Sequence, residues 1–156
     1  MLRWALLLVS LAASGQVIKD HPLPLTEAGG AVEFLSPEKV TVAARHDAQV
    51  DLHFRVADGL HINSHTPPDK YLIPARLAVV ETQGLNVRSV DFPPGADFTM
   101  LKEKLSVYTG EFVLHAHLTA QRGEHELQAA FRYQACDNNS CMPPKSIPVS
   151  VTVVAQ

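Results

Sequence analysis

Two cysteines, Cys136 and Cys141, are the residues of this chain whose type and spacing most directly suggest covalent chemistry. They enclose four polar residues, 137–140, and follow a segment of alternating polar and apolar residues. A polar stretch of this length predicts a turn. Two strand ends that meet at a turn can bring their Cα atoms within the roughly 4.4–6.8 Å that a disulfide needs. The spacing therefore allows a disulfide across the turn.

Such a disulfide has two interpretations. As a structural bridge, a loop of about six residues contributes roughly 2 kcal/mol in the chain-entropy model, against about 4.7 kcal/mol for a loop of 100 residues. A bridge that served stability would gain more by joining distant strands, so the placement favours an exchangeable bond. A contribution of about 2 kcal/mol still matters to a marginally stable domain. The spacing alone leaves both interpretations open.

Exchange requires that one sulfur be accessible to an attacking thiolate. The polar residues between Cys136 and Cys141 favour that access. No lysine or arginine lies between the cysteines, and Lys145 lies four positions after Cys141. The sequence therefore does not predict a strongly activated thiol.

The N-terminus has the pattern of a secretory signal peptide. Arg3 precedes an apolar run over residues 4–13, and Ala13, Ser14 and Gly15 are small residues suited to a cleavage site before Gln16. The run is about half the roughly 20 residues of a membrane-spanning helix, and no cysteine follows it to carry a lipid. We predict a signal peptide over 1–15, a periplasmic or secreted location, and no stable membrane anchor. Disulfides persist in such compartments.

The remaining part of the chain, about 140 residues, has the usual size of one domain. Its Pro- and Gly-containing start predicts a lead-in segment over 16–37, followed by a single domain over 38–156. The formal net charge of −3 comes from interspersed acidic and basic residues. Neither a nucleic-acid partner nor an anionic membrane partner is predicted.

Period-two alternation predicts an all-β domain. The strongest predicted strands are 49–56, 112–119, 127–134 and 147–153, and weaker ones are 40–44, 72–80 and 85–90. About seven short strands without a sustained helical period predict an immunoglobulin-like antiparallel β-sandwich. The widely spaced Cys, Trp, Cys pattern of antibody domains is not present.

The eight histidines raise the possibility of a metal site. His115 and His117 share one face of a predicted strand, His61 and His65 lie in a predicted loop, and Met100, Met142 and the thiols are soft donors suited to copper(I). The simpler interpretation is that the histidines are exposed polar positions. We therefore predict no cofactor, and keep as the alternative a non-catalytic exported β-sandwich binding module, structural or copper-associated, in which the disulfide is a structural bridge.

The residues around the cysteines resemble a known family. The segment 133–136, Tyr-Gln-Ala-Cys, followed by 141–144, Cys-Met-Pro-Pro, and by the strand 147–149 is similar to the N-terminal periplasmic domain of the thiol:disulfide interchange protein DsbD. Supporting segments are 58–63, 71–74, 92–95 and 107–110. The resemblance extends from about Phe34 to Val154.

This resemblance implies an immunoglobulin-like sandwich with a redox-active disulfide near one end. Cys136 and Cys141 occupy the positions of the family's cysteines. In that family a thioredoxin-type domain reduces the pair, which passes electrons to periplasmic disulfide isomerases or cytochrome-maturation thioredoxins without a bound cofactor. The resemblance thus predicts a DsbD-type or thioredoxin-like electron donor, with periplasmic disulfide proteins as acceptors.

The chain departs from the family pattern in three respects. Its cysteine loop is one residue shorter than in the best-known members. The segment matching the family's aromatic cap over the disulfide, 99–102, has no aromatic residue, so Met100 or Leu101 is expected to supply any cap. Tyr108 is expected in the core or beside the cysteines, and Tyr133 mainly in the core. The family's full-length proteins continue into a membrane domain, so we expect this chain, which ends at Gln156, to work as a separate module.

Overall fold

A computed structural model describes residues 30–100 and 102–156 of the chain. The regular structure of these residues consists of twelve strands. In chain order they are β1 Val32–Phe34, β2 Lys39–Val42, β3 Ala48–Val56, β4 His61–Asn63, β5 Arg76–Val79, β6 Leu85–Asp91, β7 Ala96–Met100, β8 Glu103–Tyr108, β9 Glu111–Ala120, β10 Gly123–Tyr133, β11 Ala135–Cys136 and β12 Lys145–Ala155. The predicted signal peptide lies outside the described residues.

The strands form three four-stranded sheets. The first has the order β1-β3-β9-β6 and the second β2-β12-β10-β5; together we call them the sandwich body. The third, which we call the cysteine sheet, has the order β11-β4-β8-β7. Within these sheets β2 pairs with β12 in parallel and the other pairs are antiparallel. The predicted all-β, immunoglobulin-like sandwich is confirmed.

The core of the sandwich body follows from the alternation seen in the sequence. Every second residue of β3, β9 and β12 is buried, because successive side chains of a strand point to opposite faces. Phe54 lies at the centre, with its ring centroid 4.5 Å from that of Phe131 and 5.4 Å from that of Phe112. Contacts between aromatic rings at these distances add to the free energy gained from burial.

Five strands were not predicted: β1, β4, β7, β8 and β11. Apart from β1, they form the cysteine sheet. They contain two to six residues, and β4 is buried at all three positions, so little alternation exists for a periodicity argument to detect. β1 lies in the segment predicted as a lead-in, yet it pairs with β3 and buries Val32. Among the described residues no helix is long and apolar enough to span a membrane.

Candidate thiol-disulfide site

Cys136 and Cys141 form a disulfide with an S–S distance of 2.03 Å and a Cα–Cα distance of 3.9 Å. They face each other across an isolated antiparallel bridge. On one side of the bridge the N–H of Asp137 donates to the Ser140 carbonyl at 2.9 Å, and on the other the N–H of Met142 donates to the Ala135 carbonyl at 2.8 Å. The cysteines therefore occupy a non-hydrogen-bonded pair, the antiparallel position at which Cα atoms come closest.

The two cysteines differ in exposure. Cys136 is only 2 % exposed, because it belongs to β11 within the cysteine sheet. Cys141 lies beyond the loop and is exposed to solvent. Of the two sulfur-bearing residues, Cys141 is therefore the one open to solvent.

Asp137 fixes the loop between the cysteines. Its Oδ1 accepts hydrogen bonds from the N–H groups of Asn139 and Ser140, both at 2.7 Å. These bonds stabilise the carboxylate and lower the pKa of Asp137. The loop consequently carries a negative charge next to Cys136.

Strand register places His61 directly opposite Cys136. The next pair along the same ladder, Ala135 and Ile62, belongs to the main hydrophobic core. Because neighbours in a strand point to opposite faces, Cys136 and His61 share the other face of the cysteine sheet. Directly opposite residues in an antiparallel ladder have Cβ atoms about 4.5–5.5 Å apart, so the side chains of His61 and Cys136 are cross-strand neighbours.

His61 is a buried polar side chain, only 3 % exposed. Its ring centroid lies 4.5 Å from that of Phe98, although β8 separates their strands, so the sheet curls over His61. Among the residues that the structure describes, Nε2 of His61 is buried without a hydrogen-bond partner. Burial lowers the pKa of His61, and the charge of Asp137 partly opposes this shift.

A shallow depression of about 330 Å³ lies beside this histidine, and Asn138 of the cysteine loop contributes to its wall. The lining residues are 57–61, Phe98, Thr109, Gly110 and Asn138. Gly59, in the turn before β4, has φ +76°, a conformation that other residues rarely adopt. A second depression, about 510 Å³, lies around Arg45 and Gln121 at the opposite end of β9 and includes neither cysteine.

The structure separates the other residues singled out from the sequence. Met100 is half-buried at the end of β7, and alternation places it on the same face as Phe98. Leu101 lies outside the described residues. Tyr108 is in the main core, with its ring centroid 4.9 Å from that of Phe112 and its hydroxyl donating to the Pro93 carbonyl at 2.9 Å. Tyr133 is also in the core.

Sequence reasoning missed two residues near the cysteines. Phe98 lies one position before the segment considered as a cap. His61 was weighed only as a metal ligand, because its segment shows no strand period. The 58–63 segment of the family resemblance was the available signal for His61. His61 lies opposite Cys136 only because β4 pairs with β11. These strands are far apart in the sequence: even the paired residues Ile62 and Ala135 are separated by 73 positions.

Two of the candidate metal-binding histidines, His115 and His117, lie on the outer face of the first sheet. His115 Nδ1 is 2.7 Å from Asp51 Oδ1, and His117 Nε2 is 2.9 Å from Asp91 Oδ2. Hydrogen bonds from His115 and Gln49 lower the pKa of Asp51. Across residues 30–100 and 102–156, no three His, Cys, Asp or Glu side chains gather into a metal-binding group.

An immunoglobulin-like sandwich with a disulfide across a short polar loop, one cysteine buried and the other exposed, defines a disulfide-bearing β-domain. The family model of the thiol:disulfide interchange protein DsbD, N-terminal, matches residues 31–152. The chain therefore belongs to the family of DsbD N-terminal domains. This finding confirms the resemblance noted in the sequence.

A solved structure supports the fold. The N-terminal periplasmic domain of ScsB from Proteus mirabilis superposes with a TM-score of 0.51 and 14 % identity, over 76 % of this chain and 44 % of that one. The chain thus spans less than half the length of that structure. The reduced DsbD N-terminal domain of Neisseria meningitidis gives a TM-score of 0.45 and 19 % identity, over 70 % of this chain and 80 % of that one. No curated protein matches the chain significantly.

Proposed function

We propose that this protein is a thiol-disulfide exchange module that relays electrons between thioredoxin-like partners through a reversible Cys136–Cys141 disulfide. The observation that carries the proposal is the unequal exposure of the two cysteines, with Cys136 2 % exposed and Cys141 open to solvent. Membership of the DsbD N-terminal family supports the same chemistry.

Reduction of the chain takes two exchange steps. A thiolate of the donor attacks the Cys141 sulfur, a mixed disulfide forms, and the electron pair of the broken bond leaves with Cys136. The donor's second thiolate then attacks its own sulfur in the mixed disulfide and releases Cys141. Two electrons and two protons reach the chain, and the donor keeps a disulfide. Transfer to an acceptor reverses these steps, beginning with attack by Cys141.

A partner that reaches Cys141 also meets an apolar surface. Met142 is 39 % exposed, and Pro143 and Pro144 are exposed beside it. The backbone of Met142 is held in place, since its N–H donates to Ala135 and its carbonyl accepts from the Gln134 side chain at 3.1 Å. A fixed apolar strip beside a reactive sulfur suits the docking of a folded partner.

The proposed location is the periplasm. The predicted signal peptide directs export, and the similar ScsB structure is described as a periplasmic domain. The donor in that compartment is a thioredoxin-like or DsbD-type protein, and the acceptors are periplasmic disulfide proteins. The predicted exchange uses cysteine thiols and needs no bound cofactor.

A trapping experiment with single-cysteine variants tests the proposal. A one-cysteine thioredoxin, activated as its thionitrobenzoate disulfide, is mixed with C136S, which keeps Cys141, or with the matched control C141S, which keeps Cys136. We expect C136S to form the mixed disulfide at least about tenfold faster, because access controls exchange. Equal rates, or no adduct with either variant, would contradict the proposed entry through Cys141.

A redox titration separates exchange from a structural bridge. Wild-type protein is equilibrated with thiol-disulfide buffers, and its disulfide fraction is measured by alkylation and mass. We expect a reversible midpoint above about −300 mV, because structural disulfides lie below that value. A disulfide that stays oxidised under more reducing conditions would favour the alternative, a binding module with a structural bridge.

A further inference from the structure

We propose that His61 takes the proton from the Cys136 thiol, and returns it, during thiol-disulfide exchange. This role rests on the proposed function, and it assigns a proton-transfer partner to the buried sulfur. His61 and Cys136 are opposite each other in the β4–β11 ladder, share one face of the cysteine sheet, and are 3 % and 2 % exposed.

The buried sulfur needs such a partner. Cys136 must become a thiolate before it can attack the mixed disulfide held by Cys141. Its burial disfavours the charged form, and the Asp137 carboxylate beside it disfavours a second negative charge. In the described part of the cysteine sheet and loop, no lysine or arginine accompanies Cys136 on its face of the ladder.

The imidazole of His61 has unused hydrogen-bonding capacity. Its Nε2 is buried and lacks a partner among the described residues, an arrangement that costs stability and is rare in folded proteins. Phe98 covers one side of the ring, and the depression beside it connects the site to solvent. A proton taken from Cys136 can therefore leave through the imidazole to water.

Few titratable side chains other than His61 lie close enough to Cys136 to exchange a proton with it. The register and the depression define the polar surroundings of the ring, and β8 and β7 present mainly apolar side chains on that face. Cys136 and Asp137 lie on the β11 side of the ring, and Asp58 lies in the turn before β4. On the face that β8 and β7 share with His61, Glu103 lies at the far end. The other titratable residues of these two strands, Asp97, Lys104 and Tyr108, lie on the opposite face. Burial keeps His61 neutral at pH 7, the form that accepts a proton.

The proposed step moves one proton and exchanges one disulfide bond for another. In the mixed disulfide between Cys141 and an acceptor, His61 removes the proton of the Cys136 thiol. The resulting thiolate attacks the Cys141 sulfur, the bond from Cys141 to the acceptor breaks, and the acceptor leaves as a thiolate. When the chain is reduced, Cys136 leaves as a thiolate and a proton returns to it through the imidazole.

Ellman's reagent measures this step without a protein partner. The reduced full-length chain is mixed with excess reagent in a stopped-flow instrument, and thionitrobenzoate release is followed. Attack by Cys141 gives a first phase that scales with reagent concentration. Closure of the disulfide by Cys136 gives a second phase that does not. Only the second phase requires deprotonation of Cys136.

The variants are H61F, which keeps an aromatic ring against Phe98, and H61Q, which keeps polarity without titrating. We expect the second phase to slow by about 10- to 100-fold at pH 7, at or below the lower end of the usual range of acid-base contributions, which is roughly 100- to 10,000-fold. The wild-type rate should be nearly flat between pH 6.5 and 8. In the variants it should climb about tenfold per pH unit, as expected of an unassisted thiol that titrates no lower than an ordinary cysteine, near 8.5. H53Q, on the outer face of β3, should match wild type.

Unchanged second-phase rates in both variants would overturn the proposal. Equal slowing at every pH would also overturn it, because a purely structural role leaves the shape of the profile unaltered. If neither variant folds, the wild-type pH profile and an NMR titration of His61 decide: its pKa must differ between the disulfide and dithiol forms. A lack of transfer to thioredoxin-like proteins would defeat the relay while leaving these reagent kinetics intact.

Discussion

The sandwich body and the cysteine sheet differ in strand length and in the polarity of the side chains that they bury. The long strands of the body bury apolar residues at alternate positions, around Phe54, Phe112 and Phe131. The cysteine sheet has strands of two to six residues, and its β4 strand and the following residue contain His61, Asn63 and Ser64, the buried polar residues of the described chain. The apolar core of the body stabilises the fold, whereas the cysteine sheet buries polar groups, which costs stability.

The buried polar residues of the cysteine sheet are satisfied to different degrees. Asn63 Nδ2 donates to the Ile73 carbonyl at 3.0 Å, and the Ser64 hydroxyl bonds that of Ser106 at 2.9 Å. His61 Nε2 has no such partner among the described residues. An unsatisfied buried group costs about 1–3 kcal/mol, so the histidine is the least favourable of the three for folding. Four predictions test this difference between the regions.

The largest expected effect is on the sandwich body. F54A removes a fully buried ring that contacts Phe34, Phe112 and Phe131. We expect the free energy of unfolding to fall by about 3–5 kcal/mol, measured by urea denaturation. The neighbouring exposed substitution H53Q should change it by less than about 0.5 kcal/mol. A loss for F54A no larger than that of H53Q would refute the assignment of stability to the body.

A smaller effect is expected where the cysteine sheet is tightly packed. In G95A the added Cβ would lie 2.7 Å from Ser64 Cβ and would overlap Ser106 Oγ. The backbones of those serines are joined by a hydrogen bond of 2.8 Å, so they cannot move apart freely. We expect a loss of about 1–3 kcal/mol, with faster amide exchange confined to the cysteine sheet. Uniform loss of protection would show instead that the two regions unfold together, and T99A is the exposed control.

Replacement of both cysteines by serine separates stability from chemistry. The short loop predicts a loss of no more than about 2 kcal/mol, measured by urea denaturation in parallel with wild type. Exchange with thiol reagents should disappear completely. A loss as large as that of F54A would mean that the disulfide is a major structural bond. The cysteine sheet would then contribute to stability as the sandwich body does.

The smallest expected effect concerns pH. The pKa of His61 in the folded state is lowered by burial, whereas in the unfolded chain it returns to about 6.5. The unfolded state then binds more protons between these two values, so wild-type stability falls as pH drops below about 6.5 and levels off below the folded-state pKa. H61F should lack this component, and at pH 7 should be within about 1 kcal/mol of wild type or more stable.

Stability curves of wild type and H61F at several pH values measure this difference. The other histidines contribute equally to both proteins and cancel. Parallel pH profiles would show that His61 is not held neutral in the folded state.

The sequence by itself determined the β-sandwich, its long strands and the identity of the two cysteines. Alternation along 49–56 or 147–153 is a local pattern, because each residue's face follows from its neighbour. The disulfide was accessible to sequence reasoning for the same reason: the two cysteines are only five positions apart. The flanking Tyr-Gln-Ala-Cys and Cys-Met-Pro-Pro segments then indicated the family.

Only the tertiary structure decided which cysteine is buried, and which side chains surround it. The β4 strand has three residues, all buried, and so carries no alternation to recognise. His61 meets Cys136 through the register of two strands far apart in sequence, and Phe98 reaches His61 because the sheet curls across β8. Such contacts depend on how separate segments pack against each other. The alternation of polar and apolar residues along one segment predicts only which of its side chains are buried.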